Sequence, residues 1–340
     1  MNAVELHRPV WDRLQARRQR LPHALLLTGQ RGLGKYALAR AFAAGLLCEN
    51  PGANGHACGQ CLACGWFEQG NHPDFRLLQP EAMAESDNEG EDGKKKASQQ
   101  ITIEQVRGLD DFFNVGTHRS GLRIILVYPT EAMNRNTANA LLKSLEEPSP
   151  GTLFLLVSSE PMRLLPTIRS RCQVVTVPIP GTRDGAAALR AAGVADAEQW
   201  LALAGGAPLM ALELAQSGQG AWLDELVKRL AAGRRNDALA AAAEIEKLLK
   251  EGKGKVALGQ VVEWLQKWII DLALARQSLP VRYFSSQRAT IEKLAAGVPV
   301  YRFLGFHRRL LQERRQAEQP LNARLFLETL FMDYRALFSN

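Results

Sequence analysis

The apolar run Ala24-Leu25-Leu26-Leu27 ends at Thr28-Gly29-Gln30-Arg31-Gly32-Leu33-Gly34-Lys35, and an alanine-rich stretch, Ala37-Leu38-Ala39-Arg40-Ala41-Phe42-Ala43, follows at once. Strand, glycine-rich turn and helix in this order constrain the fold more than anything else in the chain. Glycines let successive backbone N–H groups curl round phosphates at the start of a helix, and a lysine reaches the outer oxygens. Gly29, Gly32, Gly34 and Lys35 are therefore the candidate phosphate-binding residues. Two more strand patterns, residues 123–128 and 152–157, are continuous apolar runs bounded by turn signals. Such runs suit strands buried on both faces of a parallel sheet, and the helical patterns between them predict an α/β unit.

The loop keeps its shape but not its full chemistry. Its eighth position should carry Ser or Thr, whose hydroxyl holds Mg²⁺. Tyr36 stands there, and a phenol cannot replace that short hydroxyl. A hydrolysing site also needs acid at the end of a neighbouring strand, to hold the metal and polarise water. That place is taken by Tyr128-Pro129, and Glu131 would have to reach back to serve. The site reads as unable to hydrolyse ATP, with binding of ATP or ADP left open.

Four of the five cysteines fall within seventeen residues, as Cys48-x9-Cys58-x2-Cys61-x2-Cys64. This is the wrong distribution for a secreted disulfide framework and a suitable one for a metal. Two Cys-x-x-Cys steps bring three thiolates onto one tight turn, and Cys48 can close a tetrahedron from the preceding helix end. Four thiolates with no open position describe a structural Zn²⁺ site, a staple for a loop with little core of its own. The alternatives are free or redox-active thiols, or His56 or His72 as a substitute ligand.

At 340 residues, with 46% hydrophobic and 23% charged, the chain has room for two or three domains and ordinary cores. No apolar run reaches membrane-span length, and Met1 to His7 lack the pattern of a secretory signal. A cytosolic protein is expected. The net charge of +7 sits in the last third, where residues 221–340 hold 20 Lys+Arg against 13 Asp+Glu. Such a surplus either attracts nucleic acid or lies on solvated helix faces beside acidic partners, and the second reading is preferred. Residues 81–100, six acids followed by Lys94-Lys95-Lys96, read as a flexible surface insertion. After Pro178-Ile179-Pro180-Gly181 strand signals cease. The expected domains are an α/β unit at 1–180, a small helical unit at 181–219 and a longer helical domain at 220–340. Trp264 and Trp268, four apart, are read as packing residues and not as a base-stacking platform.

Together these residues resemble the delta-prime subunits of the bacterial DNA polymerase III clamp loader, within the AAA+ proteins. The resemblance runs through Pro22-His23-Ala24, the four cysteines and Gly70-Asn71-His72-Pro73-Asp74. Its most specific parts are the block Asn139-Ala140-Leu141-Leu142-Lys143-Ser144-Leu145-Glu146-Glu147-Pro148 and the downstream Ile168-Arg169-Ser170-Arg171-Cys172. Tyr128-Pro129 separates the chain from the ATP-hydrolysing gamma/tau members of that family. In the C-terminal third the likeness is limited to helical character and Leu321-Asn322-Ala323-Arg324-Leu325.

The resemblance implies a function. In this family the Ser-Arg-Cys arginine stands at the subunit edge and faces the γ-phosphate of ATP on the next subunit; here that residue is Arg171, with Arg169 in reserve. The implied role is a non-hydrolysing stator with a helical lid at 181–219 and an oligomerising collar at 220–340. Its partners would be gamma/tau and delta subunits, and through them a sliding clamp and primed DNA. The family's nucleotide-sensing arginine has no counterpart in Gly205-Gly206-Ala207-Pro208-Leu209; Leu209 stands nearest. Ser158 matches a polar sensor. Cys172 reads as a small buried residue, and Glu146-Glu147 as outward-facing. Two alternatives stay open: an active ATPase of the same fold, and a zinc-stapled DNA-binding protein using its basic C-terminal domain. For Arg171 the plain alternative is a salt bridge at a strand end.

Overall fold

The computed structural model describes residues 1–84, 97–114, 117, 121–251, 256–317 and 322–339. The chain divides into two compact units, Asn2–Pro180 and Gly181–Asn340. The division falls at the proline pair around Ile179.

The first unit is built on a five-stranded, all-parallel sheet: β1 (Ala24–Thr28), β2 (Phe75–Leu78), β3 (Arg123–Val127), β4 (Thr152–Ser158) and β5 (Gln173–Thr176), in the order β2-β3-β4-β1-β5. The three central strands are the three apolar runs, and every residue of each is buried. Register follows from this, because Leu25 lies opposite Leu155 and Ile125 opposite Phe154. The edge strands β2 and β5 do not stand out in the sequence. Each has four residues, and β5 exposes three of them, so neither forms an apolar run.

Seven helices among the described residues accompany the sheet: α1 (Ala3–Leu6), α2 (Arg8–Ala16), α3 (Lys35–Leu47), α4 (Leu62–Glu68), α5 (Ile103–Asn114), α6 (Arg135–Glu146) and α7 (Pro166–Arg171). On one face α5, α6 and α7 bury Val106, Leu109, Leu141, Leu145 and Ile168 against Leu26, Ile125 and Phe154. Helix α6 obeys its spacing: Thr137, Ala138, Leu141 and Leu145 go inward and Asn134 caps its first turn. On the charged segment 81–100, residues 85–96 lie outside the described residues. The segment's two ends meet, as Ala82 N–H donates to the Ser98 carbonyl at 3.0 Å.

The second unit has no strand among its described residues. Its helices are α8 (Thr182–Ala191), α9 (Ala197–Leu203), α10 (Pro208–Gln216), α11 (Gly220–Ala231), α12 (Ala238–Glu251), α13 (Leu258–Arg276), α14 (Arg288–Ala295), α15 (Val300–Gln316) and α16 (Ala323–Ala336). One contiguous core runs from Leu189 and Leu201 through Trp264 and Trp268 to Phe331 and Tyr334. Both tryptophans are fully buried, and Trp268 Nε1–H donates to Tyr334 Oη, which donates to the Leu230 carbonyl. Several of the unit's basic residues pair with acids within or between helices: Arg229 with Glu225, Lys267 and Arg314 with Glu263, Arg324 with Glu328. No helix among the described residues is long and apolar enough to cross a membrane.

Candidate functional site

The phosphate-type loop leaves the C-terminal end of β1 and enters α3. Gly32 (φ 80°) and Gly34 (φ 82°) hold left-handed backbone, which L residues with a Cβ avoid. At Gly29 any Cβ would lie 2.5 Å from the Val177 carbonyl oxygen. The loop's tip is fastened from outside: His7, 2% exposed, donates through Nε2 to the Leu33 carbonyl at 2.6 Å. Burial pushes the His7 pKa down, so the ring stays neutral with its proton on Nε2.

Lys35 does not point into open space. It is 4% exposed, and its ammonium donates to the Gln30 carbonyl at 2.7 Å and to Ser159 Oγ at 3.0 Å. Burial lowers its pKa to about 8, and the Glu131 carboxylate partly opposes that shift. The Glu131 carboxylate meets the strand end: its Oε1 accepts from Ser159 N–H at 2.9 Å, just past the end of β4. The ammonium that would bind phosphate is thus already engaged by the Gln30 carbonyl and Ser159 Oγ. Ser158 is buried and accepts from Glu160 N–H at 3.2 Å; it is its neighbour Ser159 that meets the lysine.

Tyr36 and Tyr128, the two departures expected from the sequence, meet in space. Their rings stack with centroids 4.6 Å apart and planes at 27°. The two sequence departures from the hydrolysing pattern are therefore one structural feature, an aromatic pair. The pair walls an open depression of about 870 Å³ that also carries Arg40, Asn71 and Arg76.

The cysteine quartet converges. Sγ atoms of Cys48, Cys58, Cys61 and Cys64 all lie within 4.8 Å of one another, with Cys48–Cys61 and Cys58–Cys64 each 3.9 Å apart. A tetrahedral thiolate site with metal–sulfur bonds of about 2.3 Å has sulfur–sulfur edges of about 3.8 Å, so the donor set fits Zn²⁺. Backbone N–H groups of Cys58, Cys61 and Cys64 donate to the sulfurs of Cys48, Cys58 and Cys61. The N–H groups of Gln60 and Cys61 pull the Cys58 pKa down to about 6, whereas burial pushes Cys64 up to about 12. His56 and His72 stand outside the cluster. His56 stacks on Trp11 (4.6 Å, 15°), whose Nε1–H donates to the Asn54 carbonyl at 2.9 Å, and His72 Nδ1 accepts from Asp74 N–H.

Arg171 closes α7 at the entrance to β5. Its Nη2 pairs with Glu146 Oε1 at 2.6 Å, and its Nη1 donates to the Thr167 carbonyl at 2.9 Å. Arg169 lies against Met162 Sδ at 3.3 Å. Cys172 is buried and its pKa is pushed up to about 12, as suits an inert small side chain.

Over 96% of its length the chain is 37% identical to DNA polymerase III subunit delta' of Pseudomonas aeruginosa, of which 96% is matched. The chain belongs to the delta-prime family. The family model described as "DNA polymerase III, delta subunit" matches residues 8–180, and the one described as "DNA polymerase III, delta subunit, C terminal" matches residues 223–335. Delta' of Escherichia coli is 36% identical over 49% of this chain and 46% of its own. The tau subunit of E. coli is 35% identical over 45% of this chain and 21% of its own. Both expected classes of fold, a parallel α/β sheet and an all-α remainder, are present in this delta-prime member. Sequence reasoning did not find His7, Ser159 or the Glu146 contact. Each acts through a partner distant in sequence, and no local pattern marks it.

Proposed function

We propose that the chain is a non-hydrolysing subunit of a clamp-loader complex and that Arg171 acts in trans. On this reading it holds ATPase subunits of the gamma/tau kind and a delta subunit in register in the cytoplasm, using 181–219 as a lid and 220–340 as a collar. The assembly opens a sliding clamp and places it on primed DNA. The observation that carries the reading is the Tyr36–Tyr128 stack at the magnesium positions, beside a lysine already bound by Gln30 and Ser159. Hydrolysis in this chain would need a metal where the two rings lie.

Arg171 is suited to work elsewhere. A guanidinium stays charged and offers a planar fork to the charge spread over a transferring phosphoryl group. Such fingers contribute about 10³–10⁵ in rate at the site they serve. Arg169 is the reserve for this role. Cys48, Cys58, Cys61 and Cys64 would hold Zn²⁺, which as a closed four-thiolate site supplies no catalysis and ties the 48–64 segment to α3 and α4. The test is ATP turnover by the reconstituted loader with clamp and primed DNA. Arg171→Ala is expected to cut turnover strongly with the complex still assembled; unchanged turnover would refute the trans role.

A further inference from the structure

Arg171 and Glu146 are the last residues of two packed helices, α7 and α6. Glu146 belongs to the block 139–148, to which the function proposed above gives no task. The Arg171 side chain is 34% exposed and that of Glu146 48%, so the pair stands at the surface. Both terminal guanidinium nitrogens are engaged inside the subunit, Nη2 by Glu146 at 2.6 Å and Nη1 by the Thr167 carbonyl at 2.9 Å. A phosphoryl group in transfer needs the reverse arrangement, with the fork turned outward and its charge uncancelled. A carboxylate at this distance competes for the same nitrogens and neutralises the field they would apply.

We propose that Glu146 restrains Arg171, and that the arginine acts only when phosphate oxygens on a neighbouring subunit displace this carboxylate. The inference rests on the reading of Arg171 as a trans-acting group. It makes Glu146 a positioning residue whose effect passes entirely through Arg171. Exposed ion pairs are weak, so exchange of one anion for another is accessible whenever the neighbour closes. For the same reason, release of the restraint is expected to alter turnover by about two- to five-fold and not by orders of magnitude. Among the described residues Arg169 has no such partner, and its contact with Met162 Sδ carries no charge.

The experiment is ATP turnover by the reconstituted complex, without and with clamp and primed DNA. It compares wild type, Glu146→Gln, Arg171→Ala and the double variant, each checked for assembly by gel filtration. Glu146→Gln is isosteric at an exposed position and is expected to raise turnover without clamp and DNA by about two- to five-fold. That gain is expected to vanish on the Arg171→Ala background, a coupling that a merely structural change would not produce. The neighbouring Glu147→Gln should show no gain. Turnover of Glu146→Gln equal to or below wild type overturns the restraint while leaving the trans role intact if Arg171→Ala is impaired. A gain that survives in the double variant overturns it too. If Arg171→Ala alone matches wild type, the trans reading falls, and the restraint with it.

Discussion

The cysteine module and the phosphate-type loop lie in the same unit at opposite ends of α3, and they have been treated in opposite ways. In the module every donor is retained: four sulfurs within 4.8 Å, knuckle N–H groups aimed at them, and a stacked Trp11–His56 pair holding the turn to α2. In the loop the glycine backbone is kept, and on the proposed reading the hydrolytic chemistry is not. Gly29, Gly32 and Gly34 keep positive φ, yet Lys35 donates to the Gln30 carbonyl and the Tyr36 and Tyr128 rings stack on one another. On the proposed reading, the contrast is between a site kept for its donors and a backbone motif kept for packing. His7 fastening Leu33, and Lys35 joining Gln30 to Ser159, make the loop a structural joint between α1, β1 and β4.

The sharpest way to break this contrast is to damage the intact half. Cys64→Ser removes a buried ligand and is expected to abolish bound metal and destabilise the unit by about 3 kcal/mol or more. For a unit of this size that is roughly 6–12 °C in thermal midpoint. Metal analysis and a thermal melt check both, and a full metal complement in the variant would contradict the four-sulfur site.

The loop predicts a smaller, pH-dependent effect. Lys35 titrates at about 8 in the folded protein against an ordinary 10.5. Between those values the unfolded chain binds a proton that the folded chain has released, so stability rises with pH across this window and the burial cost is fully present below it. Relative to Lys35→Met, wild type is expected to gain on the order of 2–3 kcal/mol between pH 7.5 and 10.5. Urea midpoints for the two proteins measured over that range test it, and parallel pH profiles would show that the lysine is not buried as described.

Local signals carried much of this architecture. The central strands are legible because burial on both faces leaves uninterrupted apolar runs, and α6 because Leu141 and Leu145 keep helical spacing. The strands β2 and β5 are not, since Phe-Arg-Leu-Leu and Gln-Val-Val-Thr are short edge pieces whose identity comes from pairing with β3 and β1. At the candidate site, spacing revealed the cysteine cluster and residue type singled out Tyr36 and Tyr128. That the two tyrosines stack, that Glu131 reaches Ser159, and that Glu146 holds Arg171 depend on contacts between distant segments. Residue order does not encode such contacts in any window a reader can scan.

The most direct test of the account is the affinity of the isolated chain for ATP measured with and without Mg²⁺. If the Tyr36–Tyr128 stack occupies the metal positions, Mg²⁺ will not strengthen nucleotide binding, whatever the loop's amides achieve by themselves. A tenfold or greater gain on adding Mg²⁺, about 1.4 kcal/mol, would mean that a metal site survives there and that this subunit is equipped for hydrolysis after all.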